Sequence, residues 1–163
     1  MSVWAFPRPP VVVRDSRPVV VMLGGQVVCQ TQSALKVLET SHPPTWYLPM
    51  VDFAHGSLRS TPGSSFCEYK GMANYYDIVA ISRHAGAGAG AGRAVAVRAA
   101  WGYRNPSKRF VELRDHVAIY AVQLDSVTVD GEQVVPQAGG FYGGWITSDV
   151  VGPFKGGEGT RGW

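Results

Sequence analysis

Two β-branched runs, residues 19–23 (VVVML) and 26–30 (QVVCQ), flank the pair Gly24-Gly25. Glycine enters positive φ without a Cβ clash, so two glycines between extended runs close a two-residue hairpin whose twist matches that of its strands. Asp130-Gly131 repeats the device between residues 126–129 and 132–135. Twenty glycines and eleven prolines extend the pattern through the chain. Both residues interrupt helices, so the composition favours short strands joined by turns. A length of 163 residues with 45% hydrophobic content suits one domain around one core.

Residues 1–17 carry Pro7, Pro9 and Pro10 and read as an extended arm against the domain edge. Thr31 or Ser33 can cap a short helix running to about Thr40, with Ala34, Leu35, Val37 and Leu38 as its apolar stripe. His42-Pro43-Pro44 stops it. Pro44 and Pro49 then hold residues 45–48 extended, so Trp46 and Tyr47 point to opposite faces and one of them points inward. Residues 52–65 read as loop with a short strand at most, and 74–81 as a strand. The alternating Ala/Gly tract 85–92 is expected to be a mobile connection to a strand over 94–100. Residues 110–114 read as one helical turn and 117–122 as a strand. A Gly-rich stretch with Phe141, Tyr142, Trp145, Phe154 and Trp163 closes the chain. The expected organisation is an arm (1–17), a β-rich domain (18–138) and an aromatic C-terminal extension (139–163).

The net charge of +3 is spread along the chain without the Lys/Arg stripe that a phosphate backbone requires, so no nucleic-acid partner is expected. Arg104, Lys108, Arg109 and Arg114, the densest basic stretch, surround a turn and read as a solvated face. Cys29 and Cys67 form no Cys-x-x-Cys pair, so neither a disulfide scaffold nor a zinc site is expected. No run approaches the roughly 20 apolar residues that cross a bilayer, and the start lacks a signal-peptide core. The expectation is a cytoplasmic protein with no membrane partner and no cofactor. A protein partner or self-association is left open.

His42-Pro43-Pro44-Thr45-Trp46-Tyr47, Cys67-Glu68-Tyr69-Lys70-Gly71, Tyr75-Tyr76, Ala100-Trp101-Gly102-Tyr103 and Ile119-Tyr120, in this order and spacing, resemble the motif series of domain-of-unknown-function family 427 over roughly residues 18–136. The tail from Gly140 is similar to an extension found in part of that family. The resemblance implies a mainly β, small antiparallel fold of the β-tent type, with one or two short helices and two sheets meeting at an angle over an aromatic-lined pocket. Methionine-R-sulfoxide reductases and the ligand domain of cereblon share that outline and usually hold zinc with two Cys-x-x-Cys pairs. This chain lacks all four cysteines, so its core alone must stabilise the fold. The family also carries a nucleotidyltransferase label.

Nucleotidyl transfer needs acids close enough to share a divalent metal. No Asp-x-Asp occurs, and Asp52, Asp77, Asp125, Asp130 and Asp149 read as turn and surface acids. The stretch 152–160 holds phosphate-loop letters in the wrong order and reads as a tail pinned by Phe154 and Trp163. Cys67 is a candidate nucleophile with Lys70 nearby, although strand alternation would put Lys70 and Glu68 on the face away from the sulfur; a buried, inert thiol is the plainer reading. His42 is a candidate base, or closes the last carbonyls of the preceding helix.

Trp46, Tyr47, Tyr69, Tyr75, Trp101, Tyr103 and Tyr120 can be core, yet each polar tip needs a partner, and so many in one small core suggest a cavity. The reading that follows is a small-molecule-binding domain, with or without chemistry, in which Lys70 or His42 supplies the charged contact. A non-catalytic scaffold with a flat apolar patch, and nucleotidyl transfer, are the alternatives.

Overall fold

The computed structural model describes residues 1–67, 69–81, 94–139, 141–160 and 162–163. Among them the strands are β1 (Val11–Asp15), β2 (Val19–Leu23), β3 (Gln26–Thr31), β4 (Ala34–Leu38), β5 (Thr45–Pro49), β6 (Leu58–Cys67), β7 (Gly71–Ala80), β8 (Ala94–Gly102), β9 (His116–Ile119), β10 (Ser126–Val129), β11 (Glu132–Gln133), β12 (Val135–Pro136) and β13 (Trp145–Ile146). Short 3-10 turns occupy Val3–Ala5, Met50–Asp52, Lys108–Leu113 and Ala121–Gln123.

An antiparallel sheet of seven strands runs in the order β1-β4-β5-β9-β8-β7-β6, and a second of four runs β11-β10-β2-β3. The ribbon β12-β13 stands apart from both. The chain is therefore mainly β and built on antiparallel sheets, as its turn chemistry requires. Among the described residues no helix is long and apolar enough to cross a membrane.

Both hairpins close through left-handed residues. Gly24 and Gly25 have φ of +57° and +75°, and Leu23 pairs with Gln26 directly across them. Asp130 and Gly131 have φ of +50° and +81° between Val129 and its partner Glu132. Two successive positive φ values are the signature of the primed turn that follows strand twist.

The helix expected up to Thr40 is instead β4. Leu35 and Val37 point to one face of the large sheet and Ala34 to the other, and both faces are covered. A strand buried on both sides loses apolar alternation, and a short apolar run then mimics a helical stripe. Thr31 does bind the Ser33 amide (3.0 Å), but it caps a turn into a strand.

The loop expected over residues 52–65 is also corrected, because β6 begins at Leu58 and runs to Cys67. As the edge of the sheet it is exposed on most positions, and its pairing with β7 shifts register between Ser60 and Ser64, around Pro62-Gly63. Proline and a bulge on an edge strand protect it from further pairing, and they also erase the pattern by which a strand is read. The strand expected over 117–122 ends at Ile119 and gives way to the turn Ala121–Gln123. The Ala/Gly tract 85–92 lies outside the described residues.

The large sheet separates two cores. One face packs Trp46, Leu48, Ile78, Val117 and Ile119 against Val19, Val21, Val28, Val127 and Val129 of the small sheet. The other face gathers Leu35, Tyr47, Ala73, Trp101, Tyr103 and Ala118 with Phe110 and Leu113 of the long 3-10 turn. Trp46 and Tyr47 do take opposite faces, but both are buried, because neither face of β5 meets water.

The C-terminal extension is docked at several points. Trp145 stacks on Trp46 with ring centres 5.6 Å apart and planes 14° from parallel. The Trp145 amide donates to the carbonyl of Pro44 (2.9 Å), and the Lys155 amide to that of Ser41 (2.8 Å). The N-terminal arm meets it from the other side: Val3 donates to Val151 (3.0 Å), the Trp4 indole donates to the Pro153 carbonyl (2.8 Å), and Trp163 packs edge-on against Trp4.

Candidate functional site

A cavity of about 350 Å³ opens on the face of the large sheet turned away from the small one. Its wall is built strand by strand. Alternation sends Tyr47 of β5, Ala73 and Tyr75 of β7 and Trp101 of β8 to this face, while their neighbours Trp46, Tyr76 and Ala100 go to the other core. Tyr103 and Tyr120 follow directly after β8 and β9. Cys67 ends β6, Tyr69 and Lys70 come from the connection between β6 and β7, and His42 and Glu39 from the segment after β4.

His42, Tyr47, Cys67, Tyr69, Lys70, Tyr75, Trp101, Tyr103 and Tyr120, all singled out above, line this one cavity. Trp46 does not; it lies behind the sheet, stacked on Trp145. Phe141, Tyr142 and Gly143 of the C-terminal extension line the cavity as well and were not singled out. The signal for them was weak, two rings in a glycine-rich tail with no strand pattern around them.

The rings pack in pairs. Trp101 and Tyr120 lie with centres 4.5 Å apart, and Tyr47 and Tyr103 6.4 Å apart. Tyr142 meets His42 edge-on at 4.7 Å and Phe141 at 4.9 Å. Two polar tips are satisfied within the protein: the Tyr75 and Ser65 hydroxyls share a hydrogen bond (2.6 Å) and the Tyr120 hydroxyl donates to the Phe141 carbonyl (3.3 Å), while the Arg98 guanidinium lies 4.2 Å from the Tyr75 ring centre.

Among the described residues two ring tips are buried without a partner, the Trp46 indole in the other core and the Tyr47 hydroxyl on this side of the sheet. The Tyr47 side chain has no solvent exposure; the Trp101 indole and the Tyr103 hydroxyl are near enough to its hydroxyl to act on its ionisation, but neither meets it at hydrogen-bond geometry. Burial pushes its ionisation well above the usual tyrosine range, so the group is a neutral O–H donor. Burial raises Tyr103 and Tyr120 in the same direction. A buried donor without a partner is uncommon in a native protein, because its desolvation goes uncompensated.

His42 follows no helix; its amide closes a turn onto the Glu39 carbonyl (3.1 Å). Burial lowers its pKa below the usual imidazole value, against the pull of Glu39 and with help from Lys155, Lys70 and Arg8. Strand alternation stops at Cys67, since Tyr69 and Lys70 form a turn, so Lys70 and the half-buried Cys67 line the same cavity. Glu68 lies outside the described residues. The buried, inert thiol of this chain is Cys29, pushed up to about 12 by burial and then by Asp52.

The five aspartates weighed for metal binding have structural work. Asp52 accepts from the Thr31 hydroxyl (2.6 Å), Asp77 from the Arg98 amide (2.7 Å) and Asp125 from the Gly25 amide (2.8 Å). Asp130 forms a hairpin turn, and Asp149 accepts from Arg17 and Thr147. Among the described residues no group of three His, Cys, Asp or Glu could hold a metal ion.

A larger depression of about 510 Å³ lies near the β1 edge, lined by Arg14, Asp15, Pro49, Glu112 and His116 among others. It holds no tryptophan or tyrosine. One of its two acids is engaged, with Asp15 bound by Arg17 (2.8 Å) and Lys36 (3.0 Å). Size favours this depression, but chemistry favours the aromatic cavity, where an unmet donor waits.

A family described as a domain of unknown function (DUF427), carrying the label NTP_transf_9, matches the chain over residues 11–130. No curated protein matches it.

Proposed function

Since the chain belongs to the DUF427 family of domains of unknown function, we propose that it binds a small, flat molecule bearing a hydrogen-bond acceptor in the aromatic cavity. The observation that carries this reading is a void of about 350 Å³ ringed by aromatic side chains, Tyr47 among them, whose buried hydroxyl has no partner among the described residues. The void favours a ligand over a filled core, because a packed core leaves few gaps larger than a water molecule. The paired rings of Trp101 and Tyr120 offer faces for stacking, and a flat ring loses little freedom on entering such a slot. Lys70 and His42 supply the charged and polar contacts at the wall, and Cys67 adds a thiol.

Nucleotidyl transfer is the weaker reading, because the acids it would use are already hydrogen-bonded within turns and strands. A fragment and metabolite screen by thermal shift tests the binding reading, with Tyr47→Phe as the control. Removing an unpartnered hydroxyl leaves the free protein as stable or up to about 1 kcal/mol more stable. The same change weakens a ligand that accepts from Tyr47 by about tenfold, the equivalent of about 1.4 kcal/mol. A screen with no hits, or hits indifferent to Tyr47→Phe, contradicts the proposal.

A further inference from the structure

Gln137, 5% exposed, has every polar atom committed. Its Oε1 accepts from the Gly144 amide at 3.1 Å, its Nε2 donates to the Lys155 carbonyl at 2.6 Å, and the same Nε2 faces Nδ1 of His42 at 3.1 Å. The two backbone partners fix which way the amide points, so the imidazole meets an NH2 group and Nδ1 must be an unprotonated acceptor. The ring proton of neutral His42 therefore sits on Nε2. A proton on Nδ1 would set two donors against each other. Turning the amide over would set Oε1 against the Lys155 carbonyl and NH2 against the Gly144 N–H. No orientation of Gln137 satisfies an imidazolium and both backbone partners together.

The segment that Gln137 anchors also covers the cavity. Tyr142 packs edge-on against the His42 ring, and Gly143 lies against Trp101. An adjoining cavity of about 360 Å³, lined by Tyr120, Pro136, Gln137 and Tyr142 among others, leaves the segment room to move. The segment lies beyond the residues matched by the family.

We propose that Gln137 and His42 form an acid-sensitive latch, closed while the imidazole is neutral, that holds residues 141–144 over the aromatic cavity. Control of ligand entry by this latch rests on the binding function above; the latch itself does not. The charges that face His42 come from every element around it: Lys155 from the extension, Lys70 from the β6–β7 connection and Arg8 from the arm oppose protonation, and Glu39 after β4 favours it. Burial, the largest influence, also opposes it. With its pKa in the closed state below the ordinary value of about 6.5, His42 takes up a proton more readily when released. The closed state is therefore at full strength above about pH 6.5 and weakens as pH falls below it.

Amide hydrogen exchange in the full chain without ligand, corrected for intrinsic rates, tests this at about pH 7.5 and about pH 5.5. One proton linked to opening lets protection of the Gly144 amide, bound to Gln137, and of the adjoining Trp145 amide, bound to Pro44, fall by up to about tenfold per pH unit below the ordinary imidazole value. Gln137→Leu should lower that protection at the higher pH and flatten its pH dependence. Nitrogen NMR of His42 in the unmutated chain should find the Nε2–H tautomer at neutral pH. Equal protection at both pH values, or an Nδ1–H tautomer, overturns the latch even if Gln137→Leu does not fold. Since neither measurement uses a ligand, a failed latch leaves the binding reading standing. A working latch beside an empty ligand screen refutes binding alone.

Discussion

A Cβ added to Gly143 would sit 2.1 Å from the ring of Trp101, nearer than any real contact. Glycine is required here by close approach, because the backbone of the extension lies flat against an indole held in the sheet. Gly143→Ala must lift the segment or displace Trp101, and overpacking of this kind costs about 1–3 kcal/mol. Urea unfolding reads the cost directly, and a variant within about 0.5 kcal/mol of the parent would show that the segment is not seated as described. The polar-tipped rings were legible at this level: seven were too many for a small core to satisfy, and six of them, with His42, Cys67 and Lys70, line one cavity. The seventh, Trp46, was misplaced because alternation says which residues share a face and not which face holds the void. Gln137 was not legible at all, since a lone glutamine in a turn-rich tail carries no pattern.

Among the elements, the hairpins were the most legible, because Gly24-Gly25 and Asp130-Gly131 state their backbone conformation in the residues themselves. The tip of the first hairpin does more than turn. Gly24 reaches across to the large sheet, where an added Cβ would stand 2.7 Å from that of Ala94, whereas Gly25 has no atom within 4 Å. Both have positive φ, so an alanine at either costs about 1 kcal/mol in backbone strain. Gly24→Ala adds an overpacking cost of about 1–3 kcal/mol, and Gly25→Ala does not. Thermal or urea unfolding of the two variants separates these contributions, and equal losses would mean that the tip is not packed against β8. β4 and β6 were misread for opposite reasons. The first is buried on both faces and the second exposed on most of its length, and period-2 alternation needs one face of each kind.

The large sheet supports two different cores, a dry one shared with the small sheet and an aromatic one that retains a cavity. Family resemblance suggested a pocket beneath two sheets, whereas the cavity found lies on the opposite face, roofed by the β6–β7 connection and the extension. The extension thus serves both cores, with Trp145 stacked on Trp46 in the first and residues 141–143 lining the second. That arrangement joins distant parts of the chain, which no local pattern could reveal. The proposed uptake of a ligand beside Tyr47 would place that molecule among these rings. The most direct measurement is a crystallographic fragment soak. The expected result is a flat fragment between Trp101 and Tyr142 with an acceptor within about 3.2 Å of the Tyr47 hydroxyl. Fragments only in the depression near Arg14 and His116, or rings closed together with no room between them, would contradict it.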